Sequence, residues 1–413
     1  MSNIGFVGLG KLGLPCALAV ESKGHRVWGY DINPAVGEIL STKHLPYREI
    51  WAQKHLEESD ITFTSLAEVV ENSEIIFVPI QTPHDARFEG TSRIPEERVD
   101  FDYSFLKSGI EDLAKEVEKQ GEDKVVIIIS TVLPGTIERE IKPLLNDKVK
   151  LCYNPFFIAM GTTMRDFLNP EYVLFGVDNE AAAEKAEKFY RTLHDRPFYK
   201  TAIKNAELIK VAYNTFIGMK IAYANTMMEI CHKIGADVDE VTGAMSLATE
   251  RLISGKYLSG GMGDGGGCHP RDNIAMSWLA KKLDLSYDFF ESLMMGREQQ
   301  TEWLADLIEE HKGDLPVMIL GKAFKEETNL TVGSPSILLK NILDERGMAV
   351  DMYDPHVDKD LELDITEPRL FFIGTKHSEF NNYEFPKGSV VLDPWRYISD
   401  QSDWGVEVIR IGE

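Results

Sequence analysis

Four clusters along the chain combine residue types and spacings that can do chemistry. The first is Gly8-Leu9-Gly10-Lys11-Leu12-Gly13, which follows an apolar run and opens LPCALAVESKG. Glycines so spaced allow a tight turn and let a pyrophosphate approach the backbone at a helix N-terminus. Asp31 closes the next apolar segment, where a carboxylate accepts hydrogen bonds from a ribose diol and repels a 2′-phosphate. Together they imply a dinucleotide site selective for NAD over NADP; a tight turn with an exposed aspartate is the plainer alternative. The second cluster is Lys210 and Asn214, four residues apart and therefore on one helical face. An ammonium and an amide there can stabilise a developing oxyanion, although such a pair is more often solvated surface. The third is Ser130-Thr131-Val132-Leu133-Pro134-Gly135-Thr136, at the end of VVIII. Open α/β sheets bind ligands at that edge, so Thr131 is a candidate site hydroxyl or, equally, a cap.

The fourth cluster is GGMGDGGGCHPRDN, Gly260 to Asn273, with Cys268 in a loop nearly free of side-chain bulk. So much glycine offers a thiol little to pack on, which favours a nucleophile tuned by Arg271 and Asp272. His269 is adjacent to the thiol, and adjacent residues rarely converge on one reacting point. A thiol is superfluous for one alcohol oxidation. It becomes useful when an aldehyde must be oxidised again, through a thiohemiacetal and then a hydrolysable thioester.

The elements that must carry these residues follow from hydropathy. Residues 3 to 31 read as strand, glycine turn, helix and strand. Further buried strands are expected at Ile75–Pro79, Val125–Ile129, Leu151–Tyr153 and Tyr172–Gly176, with helices between most of them. That alternation predicts an α/β fold with a parallel, doubly wound sheet. From Asn205, a plausible N-cap, to Gly235 the chain contains no proline and predicts one helix of roughly 45 Å, a connector or dimer spine. A second α/β unit starts near Pro316. GHRVWGYD (Gly24–Asp31) and GMAVDMYD (Gly347–Asp354) share G-x-x-V-x-x-Y-D, each after a strand, turn and helix. The repeat suggests two nucleotide-like ligands. The expected domains are 1–200, an NAD-binding Rossmann-type domain; 201–312, a central helical dimerisation region with the thiol loop; and 313–413, a Rossmann-like domain for a nucleotide sugar. Residues 84–102 read as a charged loop insertion.

Composition excludes several classes. With 413 residues, 43% hydrophobic and 27% charged, the chain has the make-up of a globular protein of two or three domains. A formal charge of −23 and no basic run argue against nucleic-acid binding. No segment nears the ~20 apolar residues of a membrane span, and the N-terminus lacks signal-peptide features. The four cysteines (Cys16, Cys152, Cys231, Cys268) show no CxxC spacing, so a cytoplasmic protein with reduced thiols and no metal site is expected.

Seven collinear motifs resemble the UDP-glucose/GDP-mannose dehydrogenase family, NAD-dependent nucleotide-sugar 6-dehydrogenases. GFVGLGKLGLP is similar to its cofactor turn, QTP (Gln81–Pro83) to its TP motif, and STVLPGT to its STVPxGT segment. AELIKVAYN is similar to AELxKxxxN, and GGMGDGGGCHPRD to GxGxGGxCxPKD. GKAFKEETNLTVGSPS is similar to GxAFKxxTDDxRxSP, and DPWR to a late DxR. The resemblance implies that Cys268 is the nucleophile and that Lys210 and Asn214 stabilise the reacting oxygen and contact substrate. It assigns Asp272 and Thr131 to a catalytic water. Gly8, Gly10, Leu12, Gly13, Asp31, Thr82 and Ser130 would line the cofactor. Tyr257, Gly265, Lys325 and Arg396, with Arg251 from a partner subunit, would contact the sugar nucleotide. The long helix would be a homodimer spine.

The chain also departs from the family pattern. NPEFLxEG carries two glutamates, and here NPFFIAMG has Phe156 and Met160 in their places. Val332 stands where TDDxRxSP has arginine. The losses remove a group linked to water activation and make that wall apolar. Two rivals therefore remain: a simple β-hydroxyacid dehydrogenase, and a weakened homologue that binds NAD and a sugar nucleotide without efficient turnover.

Overall fold

Thirteen strands build two sheets in the computed structural model, which describes residues 1–413 except His84, Ile94, Arg251, 253–258, Asp264, Gly265, Ser286, Glu362 and Asp364. The chain divides into two compact units, Met1–Pro83 with Phe101–Ala212, and His84–Asp100 with Tyr213–Glu413.

In the first unit, β1 (Asn3–Val7), β2 (Arg26–Tyr30), β3 (Thr62–Phe63), β4 (Ile75–Val78), β5 (Lys124–Ile128), β6 (Val149–Tyr153), β7 (Val173–Val177) and β8 (Phe198–Ala202) form one sheet. Their order is β3-β2-β1-β4-β5-β6-β7-β8. β4 and β5 are buried along their whole length, as strands covered on both faces must be. Ile4, Phe6, Phe77 and Ile127 pack with Leu14, Leu18 and Tyr190 into the main core.

One pair departs from the all-parallel expectation: β6 and β7 run antiparallel, with Cys152 opposite Val177 and Tyr153 opposite Gly176. The connection between them has a single six-residue helix, Thr163–Leu168. β7 starts from the edge where β6 ends. β8, from the polar-studded FYKTA, has no clear alternation and was not expected.

The long helix runs from Ile203 to Ile234 and begins directly after β8, so Asn205 lies inside it and is no N-cap. The Asn205 amide instead donates to Thr201 Oγ1 at 3.0 Å. Gly235, with φ of +72°, ends the helix as expected of a left-handed C-terminal stop. The boundary between the two units falls within this helix.

The second unit carries β9 (Val317–Leu320), β10 (Val350–Tyr353), β11 (Leu370–Ile373), β12 (Val390–Asp393) and β13 (Glu407–Arg410), in the order β10-β9-β11-β12-β13. All these pairs are parallel. The sequence repeat is a structural one. Gly8 and Gly321 take φ of +108° and +105°, and their N–H groups donate to Tyr30 O and Tyr353 O at 2.8 and 2.7 Å. In both copies the repeat aspartate receives the turn behind that glycine: Leu9 N–H donates to Asp31 at 2.7 Å, Lys322 N–H to Asp354 at 2.6 Å.

The copies then diverge. Asp31 is half-buried, whereas Asp354 has no exposed surface and also accepts from the N–H groups of Ala323, His356 and Val357 and from the His377 ring. Those donors hold its carboxyl far below the usual range despite burial. The second aspartate is thus spent on its own fold and offers no carboxylate to a ribose. The repeat does not imply a second nucleotide bound as the first would be.

Candidate active site

In the first unit the glycine turn has the shape that a pyrophosphate needs. A side chain on Gly13 would strike Gly8 O at 2.1 Å, so the helix Gly13–Glu21 can start only with glycine there. A side chain's Cβ on Gly10 would meet nothing within 4 Å, which leaves room for a ligand to reach the backbone. The first turn of that helix has no acidic residue to repel an anion. Leu12 is its N-cap and packs partly against the core. Asp31 accepts from Leu9 N–H and Asn33 N–H, which fixes its carboxylate beside the turn. These residues fit the dinucleotide expected of them.

Behind the turn, the ends of β4 and β5 are tied together by hydroxyls. Thr82 Oγ1 donates to Thr131 O at 2.7 Å, and Ser130 Oγ donates to Ile80 O. Both hydroxyls are buried and brace the loops, while Thr131 itself is half-buried. A residue not singled out from sequence, Glu207, anchors the same loop to the long helix. It has no exposed surface and accepts from Gly135 N–H at 2.5 Å and Ile137 N–H at 2.7 Å. Burial pushes its carboxyl up, against the pull of these donors. One turn on, buried Lys210 holds its ammonium 5.4 Å from the centre of the Phe157 ring, a cation–π contact. Phe156 is half-buried against the core and meets Phe167 at 5.3 Å between ring centres. The position that the family pattern gives to glutamate is here part of an aromatic cluster.

In the second unit Cys268 opens the helix Cys268–Lys282 and is exposed, whereas Cys16, Cys152 and Cys231 are buried. Burial pushes the Cys16 thiol well up and the Cys152 thiol up to about 12. The glycines before Cys268 make room for the protein itself. A side chain on Gly261 would meet the Trp395 ring at 2.2 Å, on Gly263 Pro335 at 2.4 Å, on Gly266 Phe324 at 2.5 Å and on Gly267 Val332 at 2.9 Å. Val332, in the arginine position of the pattern, thus packs beside the thiol loop.

Asn225, also missed in the sequence, clamps that loop from the long helix. Its amide donates to Gly263 O at 2.7 Å and accepts from Gly261 N–H at 3.1 Å. Three turns earlier on that helix, Asn214 donates to Asp272 Oδ2 at 2.7 Å, while Arg271 binds Asp272 Oδ1 at 3.0 Å. Asp272 is fully buried, so its two oxygens position Asn214 and Arg271.

Arg396 is not available as the substrate contact it was expected to be. It adopts φ of +57°, and its side chain, 2% exposed, pairs with Asp239 at 2.8 and 2.9 Å and donates to Pro394 O, Ile411 O and Gly260 O. Its role in this structure is to pin the start of the thiol loop. Lys325 is half-buried on the loop after β9. Arg251, Tyr257 and Gly265 lie outside the described residues.

Comparison with known proteins agrees with this geometry. The NAD-binding domain of the UDP-glucose/GDP-mannose dehydrogenase family matches residues 2–194, its central domain 204–296 and its UDP-binding domain 318–400. A UDP-glucose 6-dehydrogenase of Rickettsia bellii is 29% identical over 367 residues, covering 86% of this chain and 81% of its own length. A GDP-mannose 6-dehydrogenase of Pseudomonas aeruginosa is 26% identical over 369 residues, covering 86% and 82%. A solved UDP-glucose dehydrogenase of the archaeon Pyrobaculum islandicum superposes with a TM-score of 0.86 at 24% identity, over 100% of this chain and 98% of that one, which shows a shared fold. With an open glycine turn beside Asp31, an exposed thiol on a clamped loop and all three domains matched, the chain belongs to the UDP-glucose/GDP-mannose dehydrogenase family, and is an NAD-dependent oxidoreductase.

Proposed function

We propose that this chain oxidises the C6 hydroxyl of a nucleotide-linked hexose to the uronate in two steps, with Cys268 carrying the intermediate. The observation that carries this reading is Cys268 itself, the exposed thiol among four cysteines, on a loop clamped by Asn225 and Arg396. Gly8–Gly13 and Asp31 would hold NAD, which when bound would supply the hydride acceptor. In the first step the C6 alcohol loses a proton and a hydride to become an aldehyde, with Lys210 and Asn214 stabilising the oxygen. The Cys268 thiolate then adds to the aldehyde carbon, and the thiohemiacetal gives up a second hydride to become a thioester. Water releases the carboxylate and restores the thiol, so one sugar, one water and two NAD+ yield one uronate, two NADH and three protons. Thr131 is assigned to that water, Asp272 to positioning Asn214 and Arg271, and Lys325 to the sugar nucleotide.

The relatives act on UDP-glucose and on GDP-mannose by their names, so base and sugar stay a class: a nucleoside-diphosphate hexose. No helix among the described residues is long and apolar enough to cross a membrane, and the cysteines are free, in keeping with a reducing cytoplasm. We also propose a homodimer through the long helix, on which Leu208, Phe216 and Tyr223 share one face and are each more than 40% exposed. Phe156 favours a second reading, in which thioester hydrolysis is slow and the protein binds more than it turns over.

The test follows NADH with UDP-, GDP-, dTDP- and ADP-hexoses. One of them is expected to give two NADH per uronate. One NADH with free aldehyde would refute the thioester route. Tight binding of both ligands with no NADH from any sugar would establish the second reading.

A further inference from the structure

The loops that follow β9, β10 and β11 meet at the carboxyl edge of the second sheet. They bring Glu327, His356, His377 and Glu379 together, one ligand-type atom of each lying within 4.8 Å of the others. His356 Nε2 stands 3.6 Å from Glu327 Oε2 and 3.4 Å from Glu379 Oε1. Both separations exceed the roughly 2.7–3.2 Å of an N–H···O hydrogen bond. The spacing is instead that of the edges of a coordination tetrahedron, about 3.3–3.6 Å for metal–ligand bonds of about 2.0–2.2 Å.

The surrounding groups are arranged as supports for such an ion. His377 is fully buried; its Nδ1 accepts from Glu327 N–H at 3.1 Å, and its Nε2 lies 3.1 Å from Asp354 Oδ2. These bonds fix its tautomer and place it behind the cluster, not among the ligands. Ser378 donates through N–H and Oγ to Glu327 Oε1 at 3.0 and 2.9 Å, so the other oxygen, Oε2, is the one that faces His356. Carboxylates and histidines that hold metals are commonly oriented by a second layer of this kind. Sequence spacing hides the cluster, because its members come from three separate loops.

We propose that His356 Nε2, Glu327 Oε2 and Glu379 Oε1 bind one divalent cation of the zinc class, with water in the fourth position. One imidazole with two carboxylates suits Zn2+ or Co2+, whereas Mg2+ prefers six oxygens. The ion ties three loops together, including the one that carries Lys325. This assignment stands apart from the proposed reaction, since no step of it uses the metal.

The test titrates full-length Cys268→Ser protein, in which the exposed thiol cannot compete, with Co2+ and then Zn2+. One Co2+ per chain with the visible absorption of a tetrahedral site, displaced by Zn2+, is expected, together with a zinc-dependent rise in Tm. His356→Gln and Glu379→Gln should each weaken binding at least about tenfold. Glu379 is exposed, so its variant tests the site without threatening the fold. Absence of stoichiometric binding, or binding and a Tm rise that survive both substitutions, overturns the proposal.

Discussion

Cys268 differs from the other three thiols in access, and that difference can be measured. Cys16, Cys152 and Cys231 sit in apolar cores, with two of them pushed up by burial, while Cys268 faces solvent at the start of its helix. Iodoacetamide at pH 8 should therefore label one cysteine per native chain, at Cys268, and four after denaturation, as counted by mass spectrometry. Rapid native labelling at any of the other three would contradict the burial described. Glu207 illustrates the reverse case, a residue whose importance comes wholly from what it holds. Its partners are main-chain N–H groups about seventy residues away, so the AELxKxxxN pattern contains the residue without showing what it holds.

At the scale of elements, the long helix acts through the amides it carries. Asn225 satisfies both a donor and an acceptor of the thiol loop, and losing it leaves two buried main-chain groups unpaired at a cost of about 1–3 kcal/mol each. Asn225→Ala is expected to lower kcat at least about tenfold, by loosening the loop, while KM for NAD stays within about twofold, because the glycine turn is untouched. Asn225→Asp, which keeps the acceptor for Gly261 and loses the donor to Gly263, should fall between. Steady-state kinetics on the active nucleotide sugar decide it, and an unchanged kcat in the alanine variant would remove the positioning role. The glycines of this loop were legible as a need for space. What fills the space, Trp395, Pro335, Phe324 and Val332, was not, since each comes from a distant segment. Likewise Arg396 matched its motif but is consumed by Asp239 and three carbonyls, a fate that only tertiary packing decides. The antiparallel β6–β7 pair escaped notice for a similar reason: hydropathy marks a strand but not its direction.

For the whole molecule, the apolar stripe on the long helix makes a claim about assembly. Phe216→Glu should raise the dimer dissociation constant at least about tenfold, since removing one buried aromatic anchor commonly costs 2 kcal/mol or more. Sedimentation equilibrium of the wild type and the variant would show it, and a monomeric wild type would dismiss the dimer. The α/β class and the repeat were readable because they rest on periodic, local signals. The division into units was harder, as residues 84–100 had the composition of a loop yet belong to the second unit.

That excursion has a consequence for how the protein is made. Arg93 pairs with Glu302 and Glu345, partners 209 and 252 residues further along the chain. At a synthesis rate of roughly 5–20 residues per second, those partners leave the ribosome about 10 to 50 s after Arg93 does. Through that interval the segment has emerged and has nothing to hold it. Neither unit is a contiguous stretch of sequence, so a nascent chain cannot finish one before beginning the other.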